Sequence, residues 1–374
     1  MKKVIGIYCG NFTYSKGENW DSYVIRTQGA GGSETWAVEI AAAFQKMGFH
    51  VIVFGNPDFW KFDNDGVEYV PYYLFEHRCQ YQQFDYFISS RRVDEITPYL
   101  ECPNIYIISH EYGIFKEFWG NFVSFNELKM DKVKKIAVLS EWHKKATKEL
   151  YPELKESQLM LTFNGIDQTL YKDINISNKK NMMVWSTCLN RGLTFFSEKV
   201  LPKILNEVPD FELNVCSYNT DIRGKLPKGN NVHFLGTLNK QELAELQKQA
   251  KIWILPNYGL NDFGEPLYES FCLTAVENAM SENAIICLNK GGLTTTLNGY
   301  SGIINADFFN EKSKTLSNDD YDYLAEVISK QAIMILKNEN YRNMLGKEAK
   351  EICQKYTWKN SAKTWLKEWG LIYE

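Results

Sequence analysis

Short runs of β-branched and aromatic residues alternate with amphipathic stretches along the first half of the chain. Residues 4–8 read as a first strand and residues 32–47 as the helix after it, with Trp36, Ile40, Phe44 and Met47 on one face. Residues 50–55, 84–89, 104–109, 135–139 and 159–163 supply further strands, and 141–150 a further helix. Such alternation predicts parallel strands joined by helical crossovers.

The pattern restarts after the polar stretch 173–181, which suits a linker. Residues 182–187 form a new first strand, followed by a helix at 193–206, strands at 211–217 and 232–235, and a helix at 240–250. A strand at 252–256, a helix at 275–281 and a strand at 284–288 complete this half. Two α/β halves joined once predict two Rossmann-like domains facing across a cleft, with ligands beyond the carboxyl ends of the strands. The expected boundaries are 1–172, 173–355 and a tail at 356–374. In the tail Trp358, Ala362, Trp365 and Trp369 recur at spacings of four, three and four. That apolar stripe must cover something; packing back on the first domain is expected ahead of a membrane-lying helix.

Length agrees, since 374 residues exceed one ordinary core. Hydrophobic residues at 44% and charged residues at 24% are those of a globular protein. Aromatics at 14% read first as core residues and second as sugar-stacking or interface surfaces. A net charge of -4 gives no electrostatic case for nucleic acid. The eight cysteines contain no C-x-x-C pair and read as reduced structural thiols. No signal-length apolar region opens the chain and no apolar run reaches the ~20 residues of a membrane span, so a cytoplasmic or membrane-peripheral location is expected.

Glu269-Ser270-Phe271-Cys272-Leu273-Thr274-Ala275-Val276-Glu277 leads from an apolar strand into a helix and sets two carboxylates eight positions apart. On an ideal helix that is ~12 Å, enough to bind hydroxyls at both ends of a nucleotide-sugar while the amides of Cys272, Leu273 and Thr274 face its phosphates. Gln28-Gly29-Ala30-Gly31-Gly32-Ser33-Glu34 joins the first strand to the first helix; its glycines allow close backbone approach, and it lacks the G-x-G-x-x-G spacing of a dinucleotide site. Ser186-Thr187-Cys188-Leu189-Asn190-Arg191-Gly192 follows the first strand of the second half, where the Arg191 guanidinium suits a pyrophosphate. His110 closes the strand at 104–109, and none of the five histidines has metal-ligand spacing. Phe115, Phe118, Trp119 and Phe122 share a helical face that reads first as core and second as an acceptor or lipid-contacting surface. Asp63-Asn64-Asp65 and Asp320-Tyr321-Asp322 have D-x-D spacing in polar stretches, read as turns ahead of metal sites.

These segments, in this order, resemble glycosyltransferase family 4, whose signature has two glutamates separated by seven residues. The resemblance runs from Gly31 to Trp358 and implies the GT-B fold, with the C-terminal helix crossing back to the first domain. It implies retaining hexosyl transfer from a nucleotide diphosphate sugar, UDP- or GDP-linked, without an obligatory metal or other cofactor, to a glycan or glycolipid hydroxyl. The acceptor would be held by the first domain and the donor by the second. Carried over by position, Glu269 contacts the transferred sugar and Glu277 the ribose. His110 supports the sugar near the departing phosphate, and Gly31, Gly32 and Arg191 border the phosphates. The chain departs from the family at Cys272, where glycine is usual, at Ser186, where a second basic residue is usual, and after Gly291-Gly292, where Thr294–Thr296 replace an acidic residue. Asn164-Gly165-Ile166-Asp167 matches the turn leaving the first domain. Rival readings are a nucleotide-sugar binding protein without transfer, a sugar-nucleotide epimerase on the same fold and a metal-dependent transferase.

Overall fold

The computed structural model describes residues 2–10, 19–29, 31–93, 100–114, 122–189, 191–216, 229–257, 269–305 and 317–373. They form two compact units, Met1–Gly165 with Tyr356–Glu374, and Ile166–Lys355.

The first unit is built on strands β1 (Val4–Tyr8), β2 (His50–Gly55), β3 (Lys61–Phe62), β4 (Glu68–Pro71), β5 (Tyr86–Ser90), β6 (Ile105–Ile108), β7 (Val133–Val138) and β8 (Leu159–Leu161). They lie in the order β3-β4-β2-β1-β5-β6-β7-β8, and every pairing is parallel except β3 with β4. The central strands are buried along both faces, which is why they read as continuous apolar runs. Gly6 in β1 is required by that packing, because a Cβ there would stand 2.7 Å from the Phe87 ring. Helix Gly32–Lys46 buries Trp36, Val38, Ile40 and Phe44.

The tail belongs to this unit. Helix Trp358–Glu368, capped by the Thr357 side chain on the Asn360 amide, buries Trp358, Ala362, Trp365 and Leu366. Trp365 meets Tyr106 edge-on at 5.7 Å, and Trp369 stacks on Tyr86 at 4.0 Å and on Phe44 at 5.3 Å. The hydroxyls of Thr162 and Thr364 bond at 2.8 Å, and Lys135 pairs with Glu368 at 2.7 Å. Gly165 lies against the start of this helix, since a Cβ there would fall 2.2 Å from the Trp358 nitrogen.

In the second unit β9 (Met182–Trp185), β10 (Glu212–Cys216) and β11 (Val232–Gly236) are ordered β11-β10-β9, and β12 (Ile252–Leu255), β13 (Ala284–Leu288) and β14 (Ile303–Ile304) are ordered β12-β13-β14, all parallel. A parallel bridge between Lys180 and Ala250 joins the two ladders just before β9 and β12. The strand order is therefore that of a doubly wound sheet whose switch point lies beside β9. The helical run from Leu193 to Glu207 contains a π-turn at Phe196–Val200, next to Pro202. Proline supplies no N–H to the preceding turn, which accounts for the wider one.

Two long helices, Asn318–Lys337 and Glu339–Cys353, close the unit. The segment Asp320-Tyr321-Asp322, read from sequence as a turn, is the start of the first of them: Ser317 and Asp320 form its capping box. No helix among the described residues is long and apolar enough to cross a membrane.

Candidate functional site

The segment with the two glutamates is not one helical ruler. Helix Leu273–Met280 begins only at Leu273, and Glu269, Ser270 and Phe271 precede it in irregular backbone, so the eight-residue spacing does not translate into helical rise. Two glycines after β13 hold that backbone. The Gly292 amide donates to the Glu269 carbonyl at 2.5 Å, and a Cβ on Gly292 would stand 2.2 Å from the Ser270 carbonyl oxygen. A Cβ on Gly291, at φ 64°, would stand 2.9 Å from the Glu269 carbonyl oxygen, and the Thr296 hydroxyl donates to the Phe271 carbonyl at 2.7 Å. The residues that replace an acidic side chain after Gly291-Gly292 therefore contribute a support for the glutamate loop.

Cys272 turns the chain into the helix at φ 71°, ψ 79°, the left-handed conformation that glycine adopts without cost. Its thiol is buried, and burial pushes it well above the usual thiol range, with Glu269 adding to the rise. No side chain among the described residues caps this helix. The amides of Leu273 and Thr274 thus present the positive end of the helix, with no side chain among the described residues bonded to it as a cap.

Both carboxylates are ion-paired. Arg191 Nη1 donates to Glu269 Oε1 at 2.6 Å, and Lys240 Nζ lies 2.7 Å from Glu277 Oε1. Glu277 is buried, so Lys240 compensates a charge that would otherwise be costly there. Lys240 opens helix Lys240–Gln249, behind an Asn239 cap. Arg191 precedes Gly192, whose φ of 94° packs the turn against Pro256. Asn190 lies outside the described residues. The hydroxyls of Ser186 and Thr187, at the carboxyl end of β9, are buried with no hydrogen-bond partner among the described residues. Ser186 stands where a second basic residue was expected.

In the first unit Gly31 caps helix Gly32–Lys46 at φ -65°, ψ 167°, again with no side-chain cap; Ala30 lies outside the described residues. Glu34 in the first turn is buried, accepts from the Ser33 hydroxyl at 2.9 Å, and keeps its other oxygen unpartnered among the described residues. His110 follows β6 and meets Trp36 edge-on at 5.3 Å. Burial, then Arg91, then His143 hold its pKa well below that of free histidine, so it is neutral at physiological pH. Arg91, at φ 71°, makes two hydrogen bonds to the Glu111 carboxylate, one of 3.0 Å. His143, fully buried, accepts the Leu139 amide on Nδ1 at 3.2 Å, and burial lowers it to about 4.

Arg91, Glu111 and Lys240 were not singled out in the sequence. Arg91 and Glu111 lie 20 residues apart and Lys240 and Glu277 37 apart, so no local spacing reveals either pair. Glu34 closes the glycine segment and could have been found there.

Other candidates have structural partners. Asp63 accepts the Asp65 and Val67 amides in a turn, and Asp65 pairs with Arg26 at 2.8 Å and Lys46 at 3.1 Å. Asp320 caps its helix, and Asp322 pairs with Lys199 at 2.8 Å. Among the described residues no cluster of three or more His, Cys, Asp or Glu side chains could hold a metal ion. Phe115, Phe118 and Trp119 lie outside the described residues, and Phe122 stands in an isolated bridge.

Residues 180–318 match the family model for glycosyl transferases group 1. Among curated proteins no relative matches the sequence. Solved structures resemble the chain over nearly its whole length. Sucrose-phosphate synthase from Thermosynechococcus elongatus aligns at TM-score 0.70 and 14% identity, covering 99% of this chain and 98% of its own. A glycosyltransferase from Rickettsia africae aligns at 0.66 and 13%, covering 98% of each. HepE of Anabaena, solved in complex with UDP, aligns at 0.65 and 11%, covering 99% and 100%. The architecture is accordingly the α/β GT-B fold, residues 180–318 carry a glycosyl transferases group 1 region, and the enzyme class of the chain is glycosyltransferase.

Proposed function

We propose that the chain is a retaining transferase of the glycosyltransferase family 4 type, moving a hexose from a UDP- or GDP-linked donor to a hydroxyl of a glycan or glycolipid. The observation that carries this reading is the pair Arg191–Glu269 in the unit that also has an uncapped helix start at Leu273 and a buried carboxylate at Glu277. One cation, one set of backbone amides and two carboxylates match the diphosphate, the sugar and the ribose of one donor. The Anabaena neighbour was also solved with UDP and glucose together, which supports a donor of this class.

In this reading the donor diphosphate takes the Arg191 guanidinium and the amides of Cys272, Leu273 and Thr274. Glu269 is released to accept from hydroxyls of the transferred sugar, while Glu277 accepts from the ribose. The Ser186 and Thr187 hydroxyls add neutral donors where the family has a cation. The bond from the anomeric carbon to the diphosphate oxygen breaks, the acceptor oxygen bonds to the same face, and its proton passes to the leaving phosphate. Charge developing on that phosphate is stabilised by Arg191 and the helix start. By resemblance, neutral His110 and the Gly31-Gly32 turn are the candidate site residues of the first unit, which would hold the acceptor.

Thermal denaturation against UDP-, GDP-, ADP- and dTDP-sugars tests the donor assignment. A matching donor at a hundred times its Kd should add about 2.7 kcal/mol to folding, and no shift with any of the four would remove the reading. Proton NMR of the product should show the donor's anomeric configuration retained. Activity should persist in excess chelator, since both D-x-D pairs are engaged in turns, caps and ion pairs.

A further inference from the structure

Lys179 lies in the polar stretch read from sequence as a linker, yet its side chain is buried in the second unit. Its Nζ donates to the carbonyls of Ala250 at 2.7 Å, Ser281 at 2.8 Å and Lys248 at 3.2 Å, and to Asn283 Oδ1 at 2.6 Å. Lys248 and Ala250 end helix Lys240–Gln249, and Ser281 ends helix Leu273–Met280. The negative ends of the two helices that carry Lys240 and Glu277 thus converge on a single ammonium, which is favourable for both.

The contacts continue toward the carboxylate. Asn283 Nδ2 donates to the Gln247 carbonyl at 3.0 Å and to Asn278 Oδ1 at 2.8 Å. Asn278 Nδ2 donates to the Thr274 carbonyl at 2.9 Å, and the Ser281 hydroxyl donates to the carbonyl of Glu277 itself at 3.0 Å. On the other side the Tyr171 hydroxyl donates to Gln247 Oε1 at 3.2 Å. A connected polar network of this kind fixes geometry more strongly than its separate bonds suggest. Burying an ammonium is costly and an apolar side chain would fill the same volume, so fixed placement of the two helices is what the charge supplies.

We propose that Lys179 is a positioning residue for donor binding: through the ends of the two helices it sets the Lys240–Glu277 pair that receives the ribose. This rests on the donor reading of Glu277 above. The groups facing Lys179 are Arg342 and Lys350, which oppose its charge, and Glu282, which favours it and is itself bonded to Lys350 at 2.6 Å. Burial, then Arg342, bring its pKa down to about 7. The clamp is therefore fully charged below neutrality and loses its charge as pH rises through about 7. Its folded pKa lies below the unfolded value, so folding stability rises with pH from about 7 up to the ordinary lysine value. A purely structural clamp would lose stability and ribose recognition together; here they move in opposite directions.

The test is calorimetric titration of the full chain with UDP and with 2′,3′-dideoxy-UDP, the ratio of the two affinities reporting ribose recognition. Wild type should favour UDP by at least tenfold at pH 6, with the ratio falling by pH 8.5, and Glu277→Gln should abolish the preference. Lys179→Met should abolish it too, at both pH values, while leaving the affinity for inorganic pyrophosphate within twofold of wild type. Asn283→Ala, a milder break in the same network, should lower the ratio at least threefold and decides the matter if Lys179→Met does not fold. A folded Lys179→Met or Asn283→Ala protein with the wild-type ratio overturns the proposal. Failure of wild type to bind UDP, GDP, ADP or dTDP overturns the donor reading itself, and this proposal with it.

Discussion

Cys272 occupies a backbone conformation that costs a non-glycine residue about 1–3 kcal/mol, at φ 71°. Replacing it with glycine removes that strain, offset by the larger unfolded-state entropy of glycine, about 0.5–1 kcal/mol. Cys272→Gly should therefore raise the unfolding free energy by about 1 kcal/mol in urea, and Cys272→Val should lower it. His143 makes an opposite kind of prediction. Its folded pKa of about 4 lies below the unfolded value, so the stability it contributes is fully present above pH 6.5 and is lost as pH falls to about 4, where the unfolded state takes up a proton that the folded state does not. Urea titrations across that interval should show a loss on the order of 3 kcal/mol that His143→Gln largely removes. Glu269, Glu277, Arg191 and His110 could be picked out of the chain as candidates, because each follows a strand end or sits in a spaced motif. Their ion partners were not, since Lys240, Arg91 and Glu111 come from distant segments.

Elements with a strong apolar period were legible almost to the residue: β1, β2, β13 and helix Glu141–Leu150 agree with the expected bounds. The weaker ones were not. β4, with Glu68 buried against His50 and Arg78, has a polar residue where a buried strand should be apolar. Helix Asn318–Lys337 begins with acidic residues that resemble a turn until Ser317 and Asp320 are seen to cap it. The glutamate segment was measured as helical rise although its helix begins only after Cys272, whose left-handed φ of 71° a cysteine does not announce. Gly292 tests how that loop is held. A methyl group placed 2.2 Å from the Ser270 oxygen must displace it, so Gly292→Ala should weaken nucleotide-sugar binding at least tenfold and cost about 2 kcal/mol or more of stability.

The division into two α/β units was legible because the strand and helix pattern restarts after the polar stretch near residue 180. The limit of the first unit was less so: it ends at Gly165, and the tail from Tyr356 rejoins it. The tail's three tryptophans announced that it must cover apolar surface, and in the structure Trp365 is fully buried in the first unit. Trp365→Ala should cost 3–5 kcal/mol of that unit's stability, read as an earlier urea transition. The reaction class rests on the second unit, and one measurement reaches it directly. Release of nucleoside diphosphate from whichever UDP-, GDP-, ADP- or dTDP-sugar stabilises the wild type should be detectable, and should fall ~10²-fold or more in Glu269→Gln while that protein remains folded. Equal release by the two proteins would contradict the account.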